Sequence, residues 1–319
     1  MVRRVVIDAD PGIADALAIL IALAEPSVEV LALTACSGTV SGIQATRNLH
    51  QLTELSALER YPRVGQSDRD RGCQKSSAVT VSSPELNGKF GLGEIEPLIP
   101  DLHNRRESSR LLVDLFREHP QQVDLLTLGP LTNLALALDL EPELPMLMGR
   151  TVCLGGSLHT VGDVTAAAEF NFWSDPAAAR TVLNSPAEKT LVPLESSCQQ
   201  GLTFADLDRL NGLIPSTPAG EFITSTLQSY ARSCRQRLPN EEICLPSISA
   251  LSVLLGWGEF ESTQVVADVE TSGELTSGAL ILDRRPARSA RTNAEVVTGL
   301  DTEAVMDGLF RGLQRAAIG

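Results

Sequence analysis

Three aspartates cluster near the amino terminus, Asp8, Asp10 and Asp15, with the turn-forming pair Pro11-Gly12 between the second and the third. They follow the β-branched run Val5-Val6-Ile7, so they gather at the carboxyl end of a strand, where open α/β sheets bind their ligands. Alternation along an extended segment points Asp8 and Asp10 the same way, and the Pro11-Gly12 turn returns Asp15 toward them. Such a cluster repels itself unless a cation lies in it. All-oxygen donors, with no His or Cys nearby in sequence, suit Ca²⁺ or Mg²⁺ rather than Zn²⁺. A plainer reading exists: Asp15 helps to cap the following helix and Asp8 bonds to backbone in the turn. Three carboxylates at this place favour a functional site over that reading.

The elements that would carry such a site alternate in a βαβ rhythm. Strand-like runs at Arg4 to Ile7 and Val28 to Thr34 precede helical stretches at Asp15 to Ala24 and Ile43 to Leu58, and strand-like runs recur at Val123 to Leu128, Arg150 to Leu154 and Thr190 to Leu194. This predicts a doubly wound, mostly parallel open sheet with helices on both faces. Ser67 to Gly93, rich in Ser, Gly and charge, reads as a long loop over one end of the sheet, a place that usually belongs to a site. After Glu259 the pattern changes to strands around Gly273 to Gly278, a Pro- and Arg-rich loop at Arg284 to Arg291 and a closing helix at Thr302 to Ala316, which predicts a few antiparallel strands near the carboxyl terminus. No linker divides the chain, so residues 1–319 are expected to form one domain.

Composition bounds the partners. The 319 residues are 43% hydrophobic and 21% charged, enough apolar sequence for a large core in a globular soluble protein. A formal net charge of -14, with the acids scattered, leaves no positive surface for a phosphate backbone, which argues against nucleic acid. No uncharged apolar run reaches the roughly 18 residues that would span a bilayer, which argues against a membrane. The amino terminus runs straight into structured sequence without a leader-like apolar region, and the six cysteines are spread widely without a CxxC pair. Buried free thiols and a cytoplasmic location are therefore expected.

The segment Ile7-Asp8-Ala9-Asp10-Pro11-Gly12-Ile13-Ala14-Asp15-Ala16 resembles the DxDPGxDD signature of the inosine-uridine-preferring nucleoside hydrolases, which hold a calcium ion. Other segments agree in order and spacing: Leu128-Gly129-Pro130-Leu131-Thr132-Asn133 is similar to that family's GPLTN loop, Gly155-Gly156 to its glycine pair, and Ala168-Glu169-Phe170-Asn171 with Asp175-Pro176 to its AEFN and DP segments. Gly273 to Thr276 and Gly278 to Asp283 resemble its late strand pair. The resemblance spans nearly the whole chain. It implies a nucleoside hydrolase-like fold assembled as homodimers or homotetramers, and cleavage of the N-ribosidic bond of a nucleoside or related riboside by a metal-activated water. By the same resemblance Ca²⁺ would be held by Asp10, Asp15 and the carbonyl of Leu128. Asp10 would be the general base, with Asp8, Asn87, Asp163, Glu169 and Asn171 on the substrate.

Six positions depart from the family pattern. Ala14 stands where the family has a ribose-binding Asp, Thr39 where it has an Asn, and Cys244-Leu245 where it has a His and a metal-binding Asp. Asn87 stands at its loop His and Asp163 at an Asn. These replacements keep two further expectations open, a small-molecule-binding protein that has lost hydrolysis and a metal-free enzyme with a non-nucleoside substrate. Glu241, Glu242 and Asp163 could compensate for the missing carboxylate. Glu169 and Asn171, two apart, would share one side of an extended segment, although Asn171 could instead stitch a loop and Glu169 could be a solvated carboxylate. Asp175-Pro176 reads as a helix N-cap and Asn133 as a loop residue. His50, His103, His119 and His159 lack metal-ligand spacing and read as surface residues, with His159 alone placed where it could reach the site.

Overall fold

The computed structural model describes residues 2–67, 83–97, 106–159, 162–199, 201–237, 243–285 and 291–318. Ten strands are present among them: β1 (Arg3–Ala9), β2 (Val28–Ala35), β3 (Arg63–Gly65), β4 (Val123–Thr127), β5 (Thr151–Leu154), β6 (Lys189–Val192), β7 (Phe260–Val265), β8 (Ala267–Val269), β9 (Leu280–Leu282) and β10 (Ala294–Leu300). Eight form one sheet in the order β3-β2-β1-β4-β5-β6-β10-β7, and β8 and β9 form a separate antiparallel pair. Every described pairing in the large sheet is parallel except that of β10 with the edge strand β7. This is the doubly wound, mostly parallel sheet that the alternating pattern predicts, and the antiparallel strands come late.

The strand sequences explain why both faces are covered. Along β1, Val5, Ile7 and Ala9 enter one hydrophobic cluster and Val6 enters the other, because successive side chains leave opposite faces. The first cluster packs the helices Ile13–Ala24, Pro218–Arg237, Pro246–Leu255 and Thr302–Ala316; the second packs Ser108–Glu118, Thr132–Leu140 and Pro176–Asn184. The helix Ile13–Ala24 is almost wholly buried, and its apolar sequence fits that place.

Strand order reverses between β1 and β4, with β2 and β3 on one side and β5 and β6 on the other. That switch point opens a crevice at the carboxyl ends of the strands. The Asp10-Pro11-Gly12 turn leaves β1 there and Leu128-Gly129-Pro130 leaves β4 beside it. Cross-links fix the floor: the Leu128 amide donates to the Asp8 carbonyl at 2.8 Å and the Cys36 amide to the Ala9 carbonyl at 2.9 Å.

Two of the six cysteines are joined. Cys198 and Cys244 form a disulfide with Cα atoms 5.5 Å apart, whereas Cys36, Cys153 and Cys234 are buried and free. The expectation of free thiols therefore holds for those three and fails for this pair. The two residues lie 46 apart in sequence, and the fold rather than a local motif brings them together. Cys73, His103, Glu241, Glu242 and most of the Ser67–Gly93 loop lie outside the described residues. Among the described residues no helix is long and apolar enough to cross a membrane.

Candidate active site

A small cleft at the switch point, with a cavity volume of about 30 Å³, is lined by Asp10, Asp15, Asn87, Leu128, Asp163, Glu169 and Asn171, seven of the residues singled out from the sequence. Its wall is completed by Ala14, Thr39, Ser197, Pro246 and Ser247. Four carboxylates thus face one small space. No Lys, Arg or His is among the described residues that line it.

Asp10 is gripped by backbone. A Cβ at Gly38 or at Gly129 would overlap its carboxylate oxygens, so both neighbours must be glycine for the chain to approach this closely. The Thr39 amide donates to Asp10 Oδ2. Burial, then the negative charge of Asp15, pushes the Asp10 carboxyl well above its ordinary range. Asp15, in the first turn of the helix Ile13–Ala24, is also raised by burial, and the Ser247 hydroxyl donates to its Oδ1, drawing it partly back. Asp15 is therefore not a simple cap: Asn87 Oδ1 accepts from the Ile13 amide at 2.8 Å and serves the helix start instead. The Asn87 amide group in turn donates to Ser83 O at 3.1 Å, so this side chain is fixed from both ends.

Asp8 occupies a different place from the one expected. It lies inside β1, paired with Thr34 and Thr127 across the sheet, and it is fully buried without lining the cleft. Its Oδ1 accepts from Thr34 Oγ1 at 2.5 Å and from Asn133 Nδ2 at 2.7 Å. Burial raises its pKa to about 7 against those two hydrogen bonds. The geometry makes it a support behind the Asp10 turn, and Asn133, which also donates to Ala35 O at 2.8 Å, is its partner.

The opposite wall is built on the short helix Phe170–Ser174, not on an extended segment. Glu169 is its N-cap: Oε1 accepts from the Asn171 amide at 2.9 Å, and Oε2 from the Phe172 amide at 3.2 Å and the Gly156 amide at 2.8 Å. It is buried, not solvated. Burial, then neighbouring Asp163, raises its pKa. Asn171 stitches the strand ends together, its Nδ2 donating to Leu128 O at 2.8 Å and Leu154 O at 3.0 Å. Asp163 is raised by burial; the amides of Phe170 and Val164 pull the other way. Neither of its carboxylate oxygens has a hydrogen bond of ordinary geometry among the described residues, and both are shielded from solvent.

The third wall carries the departures. Leu245 is 5% exposed and belongs to the larger hydrophobic cluster, so an alkyl group seals the place of the late carboxylate. Cys244 is tied to Cys198, next to Ser197 of the cleft wall, and Ser249 Oγ donates to Ser197 O at 3.0 Å. The hydroxyl that reaches Asp15 comes from Ser247, two residues on, which sequence reasoning missed; the helix-starting Pro246-Ser247 pair is a weak signal for it. Cys36 was missed as a neighbour too, and burial together with the three aspartates holds its thiol neutral. Asp175 is the N-cap expected, accepting from the Ala178 amide at 3.0 Å. His159 lies beside Arg284, outside the cleft, and His50 is half-buried.

The donor types present, two carboxylates and the Leu128 carbonyl, fit a hard divalent cation, and four cleft acids without a basic neighbour give it an electrostatic reason to bind. They form a lean set: no three His, Cys, Asp or Glu side chains converge as metal ligands among the described residues.

Comparison with known proteins accords with this geometry. The chain belongs to the inosine-uridine preferring nucleoside hydrolase family, matching it over residues 5–307. It is 27% identical to the inosine-uridine preferring nucleoside hydrolase of Crithidia fasciculata, over 99% of this chain and 98% of that one. It is 28% identical to a pyrimidine-specific ribonucleoside hydrolase of Salmonella gallinarum over 98% and 99%. Among solved structures, a purine-preferring ribonucleoside hydrolase from Gardnerella vaginalis superposes with a TM-score of 0.88 at 25% identity, over 99% of this chain and all of that one. The chain is thus a hydrolase of N-glycosyl bonds, of the class that cleaves N-ribosides.

Proposed function

We propose that the cleft hydrolyses a riboside with Asp10 as the general base. The observation that carries this reading is the Asp10 carboxylate, held between Gly38 and Gly129 and facing Asp15 in a cleft without basic side chains. A water beside Asp10 loses its proton to that carboxylate as it attacks the anomeric carbon, while the bond to the base breaks through an oxocarbenium-like state. Glu169 and Asn171, fixed by their backbone bonds, line the ribose side with Asp163 and Asn87. Ala14 offers no hydroxyl acceptor, so this wall carries the sugar contacts.

Asp10, Asp15 and Leu128 O would hold Ca²⁺. When bound, the ion supplies Lewis acidity and offsets the charge of the aspartate pair. The reading further takes residues 1–319 as one domain that assembles as a homodimer or homotetramer in the cytoplasm, where the Cys198–Cys244 pair would be exposed to reduction.

The test is ribose release from a panel of ribosides by the protein and its Asp10→Asn variant. Loss of a general base should lower kcat/KM by roughly 10²- to 10⁴-fold, with the circular dichroism spectrum kept. Equal rates would remove Asp10 from the chemistry. An inert parent protein would leave the small-molecule-binding reading in its place.

A further inference from the structure

A second hollow lies away from the switch-point cleft. It has a volume of about 540 Å³ and sits at the outer end of the large sheet, where β10 pairs with the edge strand β7. Small-molecule sites run from about 300 to 1,000 Å³ and combine an apolar lining with a few converging polar groups. Val296 of β10 belongs to the second hydrophobic cluster, and Val265, Leu158 and Leu282 pack against it, so these four give the cavity an apolar lining. Thr263 and Gln264 of β7 add a hydroxyl and an amide.

The charged part of the lining is basic. Arg284 Nη2 lies 3.3 Å from Nδ1 and 3.2 Å from Nε2 of His159, a residue 125 positions away. Among the described residues no carboxylate pairs with Arg284; Asp283, the acid of the described lining, is gripped by Arg285, whose Nε and Nη2 donate to its Oδ1 and Oδ2 at 2.9 and 2.7 Å. The chain has 40 acidic and 26 basic side chains. A guanidinium that meets an imidazole rather than one of those acids is free to take an anion.

The imidazole stands on a braced loop. Glu195 Oε1 accepts from the Leu158 amide at 2.7 Å, the His159 amide at 2.5 Å and Ser157 Oγ at 3.3 Å, and the Leu194 amide donates to Gly156 O at 2.9 Å. These bonds tie the segment before His159 to the end of β6, and a recognition group held in this way keeps its geometry for a ligand.

We propose that this cavity is a second ligand site, for a small organic phosphate monoester, with the phosphate between Arg284 and His159 and an apolar or aromatic body against the valines and leucines. The site goes beyond the hydrolytic reading and does not depend on it. A phosphate monoester carries about 1.5 to 2 negative charges near neutral pH and three acceptor oxygens, which match a guanidinium fork and an imidazole N–H arriving from separate segments. A carboxylate has one charge and two oxygens to offer them.

Calorimetric titration of the full chain with phenyl phosphate tests the site, with inorganic phosphate, benzoate and phenol as controls. One saturable site per chain is expected for phenyl phosphate, at least tenfold tighter than for each control. Arg284→Gln and Thr263→Trp, both changes of exposed side chains, should each weaken phenyl phosphate at least tenfold, the first by removing the fork and the second by filling the cavity. The Asp10→Asn, Asp15→Asn double variant should bind it as the parent does. Absence of saturable binding, or equal affinities in the parent and Arg284→Gln, would overturn the site. Benzoate as tight as phenyl phosphate would overturn the choice of phosphate, and inorganic phosphate as tight would overturn the role of the apolar lining. Binding lost only in the double variant would move the ligand to the switch-point cleft and overturn the inference.

Discussion

The two ends of the cleft meet the same problem, buried polar groups at the tips of strands, in opposite ways. At the β1 and β4 end, charge is kept and backbone is shaped around it: Gly38 and Gly129 leave room for the Asp10 carboxylate, and Thr34 and Asn133 pin Asp8 behind it. At the Cys244–Ser247 end, charge has been given up. Leu245 joins the core, a disulfide ties the segment to Cys198, and a hydroxyl from Ser247 takes up one oxygen of Asp15. The first end is built for chemistry and costs stability, since burial raises its acids; the second is built for stability and narrows the chemistry.

That contrast can be broken most forcefully at the disulfide. Closing a loop of 46 residues is worth about 4 kcal/mol in the chain-entropy model, so Cys198→Ser with Cys244→Ser should lower Tm by about 6 °C for a chain of this length. Thermal denaturation checks this, and activity at 25 °C should survive, because neither sulfur lines the cleft; a collapse of activity with unchanged Tm would reverse the roles of the two ends. Next comes Gly129→Ala. Its methyl would overlap Asp10 and Cys36, and displacing the base by about 1 Å should cost roughly 100-fold in kcat/KM. A smaller effect is expected from Ser247→Ala, which removes one hydrogen bond from buried Asp15 and should cost about 1 to 3 kcal/mol in a denaturant titration.

The gentlest effect is the pH trend of the cation-free protein. Asp8, raised to about 7 by burial, and Glu169 and Asp163, also raised, bind protons more tightly folded than unfolded. Their contribution to stability is complete below the ordinary carboxylate range and is lost as pH rises through about 7, so Tm should fall between pH 5 and pH 8. A Tm that climbs over this interval would mean that the acids are compensated by groups outside the cleft.

Much of the architecture was legible because it is written in local periodicity. Two-residue alternation and β-branched runs located five strands of the large sheet, and the closing helix Thr302–Ala316 has the bounds its pattern predicts. The Asp10-Pro11-Gly12 turn was legible for the same reason. What escaped depends on pairs remote in sequence. Ser247 meets Asp15 across 232 positions, and no local pattern announces such a contact. Asp8 sits in the strand, rather than past its end, because β1 continues to Ala9 and hydrogen bonds with both neighbours. Glu169 and Asn171 look like an extended pair in sequence, yet the N-cap geometry turns them into a helix start. The Cys198–Cys244 bond was hidden because spacing alone does not fix cysteine connectivity.

The account turns on whether the charged end still gathers a divalent ion without the late carboxylate. Calorimetric titration of Ca²⁺ into the parent protein and into an Asp10→Asn, Asp15→Asn double variant tests it directly. One ion per chain in the parent and none in the variant is the expected result; heats that are flat in both, or the same in both, would contradict it.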